Sequence, residues 1–258
     1  MKKEQIAAQL YTVRDLCQTA DGLRDTCRKL RDIGYTAVQV SGIGPIPCEE
    51  VAAITADAGL KICVTHLGFD EVLNNPKEVA RRHRLYGTTD LGVGCMPREY
   101  WDSYEGQMTF ARKMVEGAKV LADYGLHLAY HNHNFEFTRF PEGVPMEGMT
   151  ELFMQNGVNL ILDLYWIQAG GASPVDWIRK VAGHMNVVHF KDMTTRLEPD
   201  KHFPAMAEIG EGNMNWRDII RACDETGVRW AAVEQDTCYR DPIESLAISY
   251  RHLMALTE

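Results

Sequence analysis

One alternation runs the whole length of this 258-residue chain and restricts its fold more than any other feature. A short apolar run is followed by a turn and then by an amphipathic helical stretch, and the unit recurs eight times. The apolar runs are Ile6–Tyr11, Ala37–Ser41, Lys61–His66, Thr89–Val93, His127–Asn132, Asn159–Leu164, Asn186–Phe190 and Trp230–Glu234. The helical stretches between them are Leu23–Ile33, Cys48–Ala58, Pro76–Tyr86, Gly106–Tyr124, Met146–Asn156, Pro174–Ala182 and Trp216–Thr226, with Pro242–Leu256 last. Gly34, Gly59, Gly125, Gly157 and Gly227 each stand where a helix gives way to a strand, the position that favours a left-handed residue. Strands alternating with helices imply parallel pairing through crossover units. Eight units in a chain of this length predict one closed (β/α)8 TIM barrel, residues 1–258 forming a single domain. An open dinucleotide-binding sheet is disfavoured, because no GxGxxG follows the first strand. The one long connection, Asp192 to Asn215, follows the seventh strand and is expected to be a loop over the catalytic face.

A strand buried on both faces tolerates a charged residue only for a reason. Four strand ends carry such residues. The fifth runs out as Tyr130-His131-Asn132-His133-Asn134-Phe135-Glu136, the sixth ends in Asp163, the seventh carries His189 before Lys191, and the eighth ends in Glu234. All lie at carboxyl-terminal ends, where barrels place their chemistry. Neighbouring strand ends converge, and three carboxylates brought together repel unless a cation joins them. Glu136, Asp163, His189 and Glu234 are therefore expected to hold one divalent ion. Oxygen and imidazole donors suit Mn, Mg, Co or Zn, and ligand type alone does not choose among them. Mn is the favoured expectation. Strand alternation puts Glu136 on one side of its segment and His131 and His133 on the other, so either histidine is a rival to Glu136 as fourth ligand. A bulge would let both sides contribute.

Charge and composition exclude other classes. A net charge of −9 repels phosphate backbones, so no nucleic-acid partner is expected. No apolar stretch approaches a membrane span, and the first residues, MKKEQIAAQLYTVRD, do not read as a signal peptide. Seven irregularly spaced cysteines without a CxxC pair read as reduced thiols. A cytoplasmic location is the expectation, with no membrane partner. The last helix and the long loop leave room for a homo-oligomer.

The blocks AAQLYTVRD, VTHLGF, YHNHNFEF, ILDLYW, VVHFKD, IGEGNMNW and VEQD, taken together, resemble the sugar isomerase/epimerase group of xylose-isomerase-like TIM barrels. That group also includes inosose dehydratase, ketose 3-epimerases and endonuclease IV. The resemblance spans essentially the whole chain. It implies metal ligands at Glu136, Asp163, His189 and Glu234, with Glu136 and Glu234 also moving protons on opposite faces of a sugar carbon. The chain departs from the epimerase pattern at strand five, where YHNH stands in place of a glutamate within the strand. That leaves room for His131 or His133 as the base. The implied reaction is isomerisation or epimerisation of an unphosphorylated sugar or keto-sugar through a metal-bound enediolate. Its alternative is a metal-dependent lyase or dehydratase on a keto-sugar or inosose, including C-glycoside cleavage after oxidation at C3. Lys191 is expected to bind a substrate oxygen or the oxyanion. His66, Trp166 and Gln9 are expected to line the sugar or cyclitol.

Overall fold

The computed structural model describes residues 1–257 and contains a closed eight-stranded parallel barrel. Its strands are β1 (Ile6–Gln9), β2 (Ala37–Val40), β3 (Lys61–Leu67), β4 (Asp90–Val93), β5 (His127–His131), β6 (Asn159–Asp163), β7 (Val187–Phe190) and β10 (Trp230–Val233). Each pairs with the next, and the ring closes where Ile6, Ala7 and Ala8 meet Ala231, Ala232 and Val233. All eight expected strands and the helices that separate them are present. The remaining two strands, β8 (Asp192–Glu198) and β9 (Lys201–Ala207), form an antiparallel hairpin outside the barrel.

The packing follows from residue size. The interior of the barrel is filled by Ala7, Ala37, Cys63, Val64, Ala129, Ile161, Val187 and Ala232. Small side chains suit an eight-stranded lumen, which is only wide enough for side chains to fill. A larger apolar layer joins the outward strand faces to the helices, with Ile6, Leu91, Tyr130, Leu162 and Phe190 wholly or almost wholly buried. Burial of this layer is the main stabilising term of the fold.

Helix ends are fixed by their own residues. Helix α1 (Ala20–Ile33) is capped by the Thr19 hydroxyl, which accepts from the Gly22 amide, and stops at Gly34 with φ of 123°. Among the described residues the α-helices are α1–α10 in chain order. They continue as α2 (Cys48–Asp57), α3 (Phe69–Asn74), α4 (Pro76–Tyr86), α5 (Tyr104–Ala122), α6 (Pro145–Gln155), α7 (Leu164–Ala169), α8 (Pro174–Lys180), α9 (Trp216–Thr226) and α10 (Pro242–Thr257). Helices α3 and α7 are short and lie directly after the site ends of β3 and β6.

The segment expected as a long loop after β7 is instead the hairpin and a tight return. Asp192 holds that return together. Its carboxylate accepts from the amides of Met193, Gly210, Gly212 and Met214 and from the Trp216 indole. Gly212 is needed there, since a Cβ would come within 2.3 Å of an Asp192 oxygen.

Candidate metal centre

Register brings the site together. Asp163 at the end of β6 stands opposite His189 in β7, and His189 stands opposite Ala232, two residues before Glu234. The Glu234 amide continues the ladder by donating to the Phe190 carbonyl at 3.1 Å. His131 ends β5 beside them. Donor atoms of His131, Asp163, His189 and Glu234 all lie within 4.8 Å of one another, and all four residues are buried. Four donors around one first-row divalent ion sit about 2.0–2.2 Å from it, hence at most about 4.4 Å apart across the ion. The cluster needs only a slight contraction to meet that requirement. Two imidazoles and two carboxylates form a chemically suitable donor set.

Several neighbours orient these donors. The Asn132 side-chain oxygen accepts from the Asp163 amide at 3.0 Å. One Asp163 oxygen caps α7 by accepting from the Trp166 amide, and the other lies 3.2 Å from His131 Nε2. His189 Nε2 lies 2.8 Å from the side-chain oxygen of Gln39, which leaves Nδ1 directed at Glu234 Oε2, also at 2.8 Å. An Nε2–H donated to Gln39 makes Nδ1 the lone-pair nitrogen that a metal requires.

Glu136 sits apart from the cluster. Strand β5 ends at His131, and residues Phe135–Phe137 form a single 3-10 turn that folds the glutamate back. Its carboxylate accepts from the Tyr130 hydroxyl and, at 2.9 Å, from the His133 amide. Burial pushes this carboxyl up to about 7, against the opposing effect of those hydrogen bonds. Of the two sides of YHNH weighed above, the structure brings His131 to the cluster, while Glu136 lies on the side of Tyr130, to whose hydroxyl it is hydrogen-bonded.

Over the cluster lies a cavity of about 410 Å³ lined by Tyr11, Ser41, His66, Leu67, Gly94, Cys95, His131, His133, Glu234 and Asp236. His133 Nδ1 and His66 Nε2 are buried there with no hydrogen-bond partner among the described residues. Burial and the neighbouring His131 hold the His133 imidazole down to about 3. Burial, with His131 and His189 nearby, likewise lowers His66. The His66 ring lies 5.1 Å from that of His131 and 5.3 Å from that of His189. It fits against β4 and the residue just past it because both supply a glycine. A Cβ on Gly94 would approach His66 Nδ1 to 2.8 Å, and one on Gly92 would approach His66 Cδ2 to 3.2 Å.

Trp166 and Gln9 stand behind this cavity rather than on its wall. Trp166 is 5.5 Å from the His133 ring, and its buried indole N–H has no hydrogen-bond partner among the described residues. Gln9 is buried at the end of β1 and accepts from the Tyr11 amide. Lys191 is fully buried, and its ammonium contacts Asp163 at 2.8 Å, Glu234 at 3.0 Å and Asp236 at 3.0 Å. Its ion pairs run to these acids and leave Asp192 to the backbone. Sequence reading passed over Gln39 and Asp236. Gln39 was detectable as a polar residue inside a strand, and Asp236 as a second acid two residues past Glu234.

Residues 27–254 match the model of the xylose isomerase-like TIM barrel family. A curated relative, the rhizopine catabolism protein MocC of Rhizobium meliloti, is 26% identical over 199 residues, covering 67% of this chain and 57% of that protein. This chain thus matches only a little over half the length of that relative. Among solved structures, a sugar phosphate isomerase/epimerase from Parabacteroides distasonis superposes with a TM-score of 0.78 at 21% identity, covering 97% of this chain and 98% of the other. A xylose isomerase-like TIM barrel protein from Mycobacterium smegmatis, in complex with magnesium, gives 0.74 at 16% identity, with 98% and 96% covered. The likeness to these structures extends through the complete barrel. The chain belongs to the xylose isomerase-like TIM barrel family.

Proposed function

We propose that this protein is a divalent-metal-dependent isomerase or epimerase acting on an unphosphorylated sugar or keto-sugar. The observation that carries the reading is the buried His131–Asp163–His189–Glu234 cluster at the floor of a cavity large enough for a monosaccharide. The magnesium in the Mycobacterium smegmatis neighbour supports the metal, and the name of the Parabacteroides distasonis one, a sugar phosphate isomerase/epimerase, supports the reaction type but not the unphosphorylated substrate. A bound divalent ion would supply a Lewis acid that polarises a substrate carbonyl and acidifies the adjacent C–H. The remaining roles belong to the chain. His131, Asp163, His189 and Glu234 hold the ion, with Gln39 and Asn132 fixing their orientation. His133, whose Nδ1 has no protein partner and which burial keeps neutral, is the group placed to take the proton from the substrate carbon and deliver it to the neighbouring carbon, the outcome being isomerisation. His66 Nε2 holds a substrate hydroxyl from the β3 side. No lysine or arginine lines the cavity and two carboxylates do, which disfavours a phosphorylated substrate.

A second reading, a lyase or dehydratase on a keto-sugar or inosose, is favoured by one observation. Glu136 is bound to Tyr130 and His133, so a shuttle between two glutamates on opposite sugar faces lacks its first member. A single base suits proton removal followed by loss of a β-substituent. Both readings share that first step and one test. The purified protein, loaded with Mn or Mg, is incubated in D2O with a panel of ketoses, keto-sugars and inososes and followed by NMR. Deuterium entering a recovered sugar or its isomer supports the first reading, and product lacking a hydroxyl or aglycone supports the second. Absence of any stoichiometric divalent ion on metal-supplemented protein sinks both.

A further inference from the structure

Lys191 is the least expected residue of the centre. A lysine is almost never fully buried unless its charge is met. Here it is met by three carboxylate oxygens, Asp163 Oδ2 at 2.8 Å, Glu234 Oε2 at 3.0 Å and Asp236 Oδ2 at 3.0 Å. An ammonium has three N–H donors, and three acceptors surround it. Two of these oxygens also face the donor cluster. Asp163 Oδ2 is the atom 3.2 Å from His131 Nε2, and Glu234 Oε2 is the atom 2.8 Å from His189 Nδ1. Each would therefore have a cation on both sides once an ion is held by the four ligands. Three oxygens converging on one point, two of them shared with an adjacent metal position, is the arrangement of a second, carboxylate-bridged cation position.

We propose that the Lys191 ammonium stands in for a second divalent ion and so holds this centre to one metal. The inference rests on the metal-dependent reading above. Charge supports it. Asp163, Glu234 and Asp236 contribute three negative charges, and one divalent ion with one ammonium neutralises them. Two divalent ions beside Lys191 would leave a surplus of positive charge in a buried site, which is disfavoured. A neutral residue at 191 leaves the three acids short of positive charge and frees the converging oxygens. The role also explains why Lys191 has no spare N–H for substrate.

The experiment counts ions rather than turnover. Wild type, Lys191→Ala and Lys191→Arg are stripped of metal, titrated with Mn, passed through gel filtration and analysed by elemental mass spectrometry and EPR. Wild type and Lys191→Arg are expected to keep one magnetically isolated Mn per chain. Lys191→Ala is expected to keep two, with the spectrum of an exchange-coupled pair. One ion per chain in Lys191→Ala, at any affinity, overturns the proposal. Because Lys191→Ala exposes three buried acids and can fail to fold, wild type in roughly tenfold excess Mn is an independent arm. An isolated ion there supports the proposal, and a coupled pair overturns it. Wild type that binds no ion at all fails the metal reading itself, a result distinct from either.

Discussion

At the scale of the residue, the centre depends on side chains that touch no substrate. Gln39 fixes the His189 ring by meeting Nε2 at 2.8 Å. Gln39→Leu is expected to weaken Mn binding by roughly 10–100-fold, the usual cost of losing such a partner, read by calorimetric titration. Unchanged affinity would show that the ring is held by other contacts. Glu136 makes a different prediction. Its carboxyl titrates near 7 in the folded protein against an ordinary 4.5, so between these values the folded state binds a proton that the unfolded state lacks. This contribution is fully present below about pH 4.5 and is lost as pH rises through 7, a fall of about 3 kcal/mol. Urea midpoints of metal-free protein should show that fall in wild type and lack it in Glu136→Gln; parallel profiles would refute it. Asp163, His189 and Glu234 were legible in the sequence because each is a charged or titratable residue at the end of an otherwise apolar strand. The choice between Glu136 and His131 was not. It turns on which side of the strand-five segment faces the barrel mouth, which alternation alone does not fix: Tyr130 packs outward and His131 inward.

At the scale of the element, the region after β7 separates what pattern can and cannot disclose. The eight barrel strands are marked by continuous apolar runs because both faces are buried. Strands β8 and β9 have no such mark. Arg196, Leu197, Glu198, Lys201 and His202 are exposed, and Pro204 sits within β9 opposite Thr195. With little to bury, their pairing leaves no apolar alternation. What fixes the hairpin is a single acid at its base. Asp192→Ala removes the acceptor for four backbone amides and one indole. Left unpaired, those buried donors are expected to cost about 3 kcal/mol or more. Hydrogen exchange should locate the loss at residues 192–216 while β1–β6 keep their protection. Uniform loss across the barrel would mean that Asp192 supports the whole fold instead.

At the scale of the molecule, four strand ends meet at the His131–Asp163–His189–Glu234 cluster, so an ion held there would link binding to global stability. A ligand at about 100 times its dissociation constant stabilises by about 2.7 kcal/mol. For a chain of this size that corresponds to roughly 5–10 °C in melting temperature. Mn added to stripped wild type is expected to raise the melting temperature by that amount, and Asp163→Ala is expected to show no rise. A rise of equal size in the variant would place the ion elsewhere.

The closure of the ring between β1 and β10 has a consequence in time. Ile6 and its partner Ala231 are separated by about 225 residues of chain. At about 5–20 residues per second, the two are separated by roughly 10–45 s of synthesis. Throughout that interval one edge of β1 has no strand beside it, and its Ile-Ala-Ala backbone is open to any other extended segment. Glu234 follows β10 directly, so the last residue of the His131–Asp163–His189–Glu234 cluster arrives with the last barrel strand. A nascent barrel of this kind passes from an open, adhesive sheet to a complete centre in one late step.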